Sequence, residues 1–460
     1  MLLYVSAFLL FSRSIFEETV IMGKNKNTRA SFGGKLSVIL VAAGSAIGLG
    51  ALWRFPYVAG ENGGAAFLLV FLLSVLVVGI PAMLAEFAVG RYTKKNAVGA
   101  FRTLSKRWSW LGYSGVLGAL LISGYYYLIA GWSLEYFYKS VTGALFTSPH
   151  PFKTQFDMFQ ASWMPLVCGV LFILLTHFIV SRGVEKGIEK ASKIMMPALF
   201  IILVVMAVRV AFMPGAVEGY KFFLSCDFEK AFSADTIMMA MGQAFFSLSV
   251  GMGCMVTYAS YFKKNNNVIS TSFNVSILTI LVSVLAGLVI FPAVFSVEGL
   301  EPTEGHSLVF VTLPEIFKGM PLDVVWSSIF FLLVILASLT STISFHEVLT
   351  AYFTEEFNLT RKRGALVTTV VSILLSSVTY FGVLGVDFFW LFDYITANIL
   401  MPLGGMFTCI FVVWFMKKDF MKDELTNSGV CNRYLAPVVI FMLRYVTPLI
   451  ILYIFLKNLL

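Results

Sequence analysis

Two apolar segments, residues 35–57 and 235–262, are interrupted by glycines near their middles. The first carries Gly48-Leu49-Gly50 and the second Gly251-Met252-Gly253. Glycine lets the backbone leave the helical path. A helix broken inside a membrane's apolar layer frees amides and carbonyls that no water can satisfy, and it is tolerated only where something polar is bound. Two such breaks, about 200 residues apart, point to the binding site of a secondary transporter rather than to bond-making chemistry.

The elements that must position these breaks are membrane helices. The chain has 460 residues, 58% hydrophobic and 13% charged, with a mean hydropathy of +0.86, whereas a soluble domain is about 25% charged. That composition marks a polytopic membrane protein. Its 45 Phe suit lipid-facing and closely packed helix surfaces, and 36 Gly with 14 Pro fit membrane helices. The net charge of +8 would also suit a nucleic-acid partner, but its distribution argues against one. Basic residues gather in alternate loops, at 91–107, 182–193, 263–264, 361–363 and 417–422. The loops between are neutral or acidic, as at Glu298, Glu301, Glu304 and Glu315. This is the positive-inside pattern. Cys168, Cys226, Cys254, Cys409 and Cys431 are scattered without CxxC spacing, and the four histidines are equally dispersed, so neither a disulfide framework nor a zinc site is expected.

A span needs roughly 20 apolar residues. Candidates fall at 35–60, 65–90, 111–139, 164–181, 192–212, 235–262, 267–297, 322–356, 362–383, 386–416 and 434–458, eleven in all. With the N-terminus inside, every basic loop is cytoplasmic and the C-terminus lies outside, in a multi-pass protein of the cytoplasmic (plasma) membrane. Residues 1–34 form a cytoplasmic segment. Within it Met22, which opens a basic polar run, is the expected translation start. Residues 35–212 and 235–416 are then two five-helix repeats, each opening with a broken helix. Residues 213–234 form an outer loop with a short surface helix, and 417–460 an inner loop and the eleventh span. Residues 298–321 read as an outer lid or re-entrant element. Because five is odd, the second repeat is inverted relative to the first.

The run Ala43-Gly44-Ser45-Ala46-Ile47-Gly48-Leu49-Gly50-Ala51-Leu52-Trp53-Arg54-Phe55-Pro56-Tyr57, followed by Gly60-Glu61-Asn62-Gly63-Gly64, resembles the first-helix signature of the neurotransmitter:sodium symporter family. Residues 243–253, Gln-Ala-Phe-Phe-Ser-Leu-Ser-Val-Gly-Met-Gly, are similar to its second broken helix, and Ala337-Ser338-Leu339-Thr340-Ser341 to its eighth span. The resemblance covers about residues 24–458 and implies an all-α leucine-transporter fold, in a bacterial sodium-dependent amino acid transporter.

It also implies ligands. One sodium site would use the carbonyls of Gly44, Ile47 and Ala337 with the hydroxyls of Thr340 and Ser341. A second would retain only Ala46 and Ser247, because Ala51, and Thr279 nearby, stand where the family has side-chain ligands. Losing those should weaken a hard-cation site, so one coupling sodium is expected. Phe71 replaces a chloride-site tyrosine, and chloride dependence is not expected. The amides of Leu49 and Gly50, at a half-helix N-terminus, suit a carboxylate, and Tyr126 resembles the family's carboxylate-binding tyrosine. The carbonyls of Ala46, Phe246 and Ser247 would hold an ammonium group. Ser45 stands where amine-binding relatives place an Asp, which favours amino acids over amines. Ile122, Ser249, Met252 and Phe345, with Ser341 alongside, would line a pocket for a large apolar or aromatic side chain. Arg54 and Asp393 resemble an outer gate pair over a Phe246–Tyr126 lid, and Arg29 with Glu355 (or Glu356) an inner pair. Glu86 resembles a residue supporting the broken helices, and His346 and Glu347 could form a proton-linked pair.

An enzyme finds no support. Gly33-Gly34-Lys35 is not a phosphate-binding loop, and no nucleophile–base or metal constellation is legible. A proton-coupled permease of the same architecture and a non-transporting amino acid sensor stay open as alternatives. Oligomeric state is not legible.

Overall fold

A computed structural model describes residues 30–296, 308–382 and 386–459. Arg29, the expected start at Met22 and the acidic loop residues Glu298, Glu301 and Glu304 lie outside them. Among the described residues the architecture is helical, with one isolated bridge between Gly64 and Cys226. Among the described residues nine helices are long and apolar enough to cross a membrane: Ala65–Thr93, Lys106–Val141, Met164–Ser181, Val184–Ala211, Val268–Val294, Asp323–Glu356, Arg361–Phe381, Phe388–Phe415 and Leu435–Lys457. A tenth is the bent pair Lys35–Ala46 and Gly50–Glu61, whose axes differ by 71°. The sixth expected span is split into Ala234–Ser247 and Cys254–Ala259, each too short to cross alone. The order is that of eleven spans, with the first and sixth broken.

Two stretches differ from the sequence reading, each for a physical reason. The fifth span begins at Val184 rather than 192, so part of the basic loop is helical. Its charge is absorbed there: Glu189 accepts from Ser37 Oγ at 2.7 Å, Gly33 N at 3.0 Å and Lys193 Nζ at 2.7 Å. The basic stretch after the second span contains a helix, Ala97–Leu104, capped by Asn96, whose side chain accepts from Gly99 N. The loop before the sixth span carries, as expected, a short helix, Ala216–Phe223. Its Gly219 lies where any Cβ would strike the backbone of Phe291 and Pro292 in the seventh span.

The third span, Ser109–Val141, runs through the middle of the bundle and packs along the eighth and fourth. Gly131 lets it approach the backbone of Cys168 and Gly169 directly. Small residues at such crossings are how membrane helices gain packing without a hydrophobic driving force.

Candidate binding site at the helix breaks

The first half-helix stops at Ala46, and Ile47 N donates to Ala43 O at 2.7 Å as its last turn. Beyond that bond the carbonyls of Gly44, Ser45, Ala46 and Ile47 have no helical partner. Helical geometry resumes at Leu49, with Ala51 N and Leu52 N both on Gly48 O. The break is therefore Ile47-Gly48, one residue earlier than the glycine pattern implied. The second break is longer, from Leu248 to Gly253, and Ser249, Gly251 and Gly253 all take positive φ. Gly251 is obligatory there, because a Cβ would meet Met401's backbone. The two breaks touch: Ser249 Oγ donates to Ser45 O at 2.8 Å.

Thr340 Oγ1 lies 3.1 Å from Ile47 O and 2.8 Å from Ala337 O. A Cβ on Gly44 would sit 3.4 Å from Thr340 Cβ, which places the Gly44 backbone against the same side chain. Ser341 Oγ turns instead to Ser45 O, at 3.3 Å. The geometry gathers neutral oxygens of spans one and eight around one point. That donor set suits a hard monovalent cation and would poorly hold a soft metal.

Around the second group of expected ligands the arrangement differs. Gln243 Nε2 donates to Gly50 O at 2.9 Å and to Ser247 Oγ at 3.0 Å, all buried. Thr279 is turned into its own helix, with Oγ1 on Val275 O at 2.9 Å, and Ala51 is fully buried. An amide donor thus bridges the two broken helices beside Ala46 and Ser247. The sequence run contained Gln243 without revealing this, because the bridge depends on where the two helices meet.

Between the breaks lies a cavity of about 30 Å³, room for roughly one water molecule. Ser45, Ala46, Gly50, Ile122 and Tyr126 line it from the first repeat, and Phe246, Ser249, Met252, Ser341 and Phe345 from the second. Leu49 and Ser247 do not line it: the Leu49 amide sits behind Tyr126, whose hydroxyl it reaches at 3.2 Å, and Ser247 is held by Gln243. Gly48, Cys254 and Ser344 also line the cavity. Ser344 could have been found from its i+3 and i+4 spacing to Ser341 and Thr340. Tyr126 meets Phe345 edge to face at 5.4 Å. Gly48 admits the Tyr126 hydroxyl, which a Cβ would approach to 2.9 Å.

Above this cavity is a vestibule of about 230 Å³ lined by Arg54, Asp393, Tyr125 and Phe389, among others. Tyr126, Phe246 and Gly50 border both spaces, so the two rings lie between them. The outer ion pair read from the sequence is not formed. Asp393 Oδ1 accepts from Tyr125 at 2.8 Å, and the Arg54 guanidinium stacks 5.2 Å from the Phe246 ring. At the opposite end, Glu355 accepts from Asn96 N at 2.8 Å, while Glu356 pairs with Arg102 at 2.7 Å. Their expected partner Arg29 is outside the described residues.

Glu86 Oε1 accepts from Gly251 N at 2.6 Å and so steadies the second break. His346 and Glu347 do not pair. As helix neighbours they point apart: His346 Nδ1 meets the Tyr127 hydroxyl at 2.8 Å, and Glu347 takes Tyr261 at 2.6 Å and Arg361 at 2.5 Å.

The profile described as the Sodium:neurotransmitter symporter family matches residues 29–155 and 156–460. An uncharacterized sodium-dependent transporter of Bacillus subtilis is 36% identical over 438 residues, covering 92% of this chain and 96% of that protein. One from Haemophilus influenzae is 35% identical, with 95% and 100% coverage. The crystal structure of MhsT in complex with L-phenylalanine superposes with a TM-score of 0.85 at 39% identity, over 93% of this chain and 99% of that one. With two broken helices meeting at a cavity and matches across nearly its whole length, the chain belongs to the sodium:neurotransmitter symporter family.

Proposed function

We propose that the protein is a sodium-coupled symporter that imports a neutral amino acid with a large apolar or aromatic side chain. The observation that carries this reading is the convergence of Thr340 Oγ1 with the carbonyls of Ile47 and Ala337. A stripped Na⁺ needs such oxygens, and carbonyls at a half-helix C-terminus supply them. The Gly44 carbonyl, and Ser341 Oγ once it leaves Ser45 O, complete the set.

Sodium use is single in this reading. Gln243 spans Gly50 and Ser247 with an amide where a second ion would bridge the same helices, and Ala46 with Ser247 is left without side-chain support. Phe71 offers no hydroxyl to chloride. The chain is a carrier and performs no catalysis.

The substrate's carboxylate binds the amides of Leu49 and Gly50 with the Tyr126 hydroxyl, displacing the Leu49–Tyr126 contact. Its ammonium group takes the carbonyls of Ala46, Phe246 and Ser247. Its side chain lies among Ile122, Met252 and Phe345, where thioether and rings suit an aromatic group. The L-phenylalanine bound by MhsT supports the same class. Because the cavity is so small, entry requires Phe246 and Met252 to part, which agrees with alternating access.

Sodium braces span one against span eight and completes the substrate site. Amino acid binding then closes the Phe246–Tyr126 lid and draws Arg54 and Asp393 together, Asp393 leaving Tyr125. Inner opening releases Glu355 from Asn96. The orientation is N-terminus cytoplasmic and C-terminus outside, in the plasma membrane, as the basic loops support.

Uptake of labelled L-phenylalanine into proteoliposomes tests this. An inward Na⁺ gradient should drive accumulation and a pH gradient alone should not. Accumulation on the pH gradient alone would establish the proton-coupled alternative, and no accumulation under either would leave a sensor.

A further inference from the structure

The last span carries a charge in an unusual place. Arg444 lies nine residues into the helix that begins at Leu435, roughly 13 Å along a membrane-crossing segment. Its Nε is buried with no hydrogen-bond partner. One face of the guanidinium is covered by Trp414, 5.5 Å away. Arginines within spans are costly and are ordinarily paired or functional.

Arg444 lines a groove of about 740 Å³ between the helix Phe420–Thr426 and the start of the last span, and Lys422 and Arg433 line it too. The groove's lining includes no acidic residue, and none of the three cations forms an ion pair among the described residues. Arg433 Nε reaches only the Gly429 carbonyl, at 2.7 Å. The remaining wall is apolar: Ile440, Phe441 and Tyr445 line the groove, the latter two 57% and 44% exposed. Three uncompensated cations would repel one another, so the groove wants a counter-charge with an apolar body attached.

We propose that this groove binds one anionic phospholipid, its phosphate on Arg444, Lys422 and Arg433 and its acyl chains along Phe441 and Tyr445. A phosphodiester offers the paired oxygens that a guanidinium fork matches, and basic pockets between membrane helices recognise such headgroups. The site is separate from the substrate cavity and its existence does not depend on the transport reading. Only the leaflet, the cytoplasmic one, rests on the orientation proposed above.

Native mass spectrometry of the delipidated full chain, titrated with dioleoyl phosphatidylglycerol and separately with dioleoyl phosphatidylcholine, tests it. One phosphatidylglycerol should bind at least tenfold more tightly than phosphatidylcholine. Lys422→Gln and Arg433→Gln should each weaken it about fivefold, and Arg444→Gln at least tenfold, with Arg444→Lys between. Should Arg444→Gln not fold, the exposed Lys422→Gln/Arg433→Gln pair decides alone. Equal affinity for the two lipids, or unchanged affinity in the pair, would overturn the proposal. So would displacement by acyl-free glycerophosphoglycerol at equal concentration, which would mark a soluble-phosphate site, or a dimer whose formation excludes lipid.

Discussion

Thr340→Val is the sharpest single perturbation of the proposed sodium site. Valine keeps the shape and burial of threonine and removes only Oγ1, the atom 3.1 Å from Ile47 O and 2.8 Å from Ala337 O. Without sodium, the change costs the contact to Ile47, about 1 kcal/mol. With sodium, it removes an oxygen bound to a charge, worth about 1.5–3 kcal/mol, so sodium should bind roughly tenfold to a hundredfold more weakly. At 100 times the wild-type dissociation constant, sodium stabilises the fold by about 2.7 kcal/mol, and a thirtyfold loss leaves about 0.9 kcal/mol. The assay is thermal unfolding in detergent across a sodium series, with potassium holding ionic strength. Ser341→Ala should act in the same direction, and the two together should be non-additive because they would share one ion. A Thr340→Val protein with the wild-type sodium midpoint would refute the assignment.

Other consequences follow from the same geometry. Tyr126→Phe removes the hydroxyl 3.2 Å from Leu49 N; phenylalanine affinity should fall at least tenfold while sodium binding without substrate is unchanged, both read by the same unfolding assay. Gly50→Ala would place a Cβ 2.5 Å from the Phe246 ring; uptake should be lost with the protein still folded and monodisperse. Tyr125→Phe frees Asp393 from its 2.8 Å bond; Arg54 should then capture the carboxylate more readily, slowing exchange of bound phenylalanine in a filter-binding chase.

The broken spans were legible because glycine pairs inside apolar runs are costly unless used, and Gly48, Gly251 and Gly253 are used. The limits of the breaks were not. Leu49 and Gly50 return to helix because Gly48 O finds two amides downstream, and Ser249 adopts φ +52, a conformation no serine advertises. The convergence of spans one and eight was expected from the family resemblance, whereas Ser341 facing Ser45 is a side-chain choice invisible in sequence. Asp393 was found, but its contact in this structure, Tyr125 next to the predicted Tyr126, was not. The start of the fifth span escaped because Glu189 looks like loop charge until its three partners, two of them about 150 residues away, are in place.

The most direct test of the central claim is phenylalanine affinity measured against sodium concentration in purified protein. If the ruptured ends of spans one and six bind one ion and one zwitterion as a unit, linkage requires each to tighten the other. Below sodium saturation, the phenylalanine dissociation constant should then fall tenfold for each tenfold rise in sodium. A flat dependence would contradict coupling through the Thr340 cluster, and a hundredfold fall per decade would contradict the single-ion reading of Gln243.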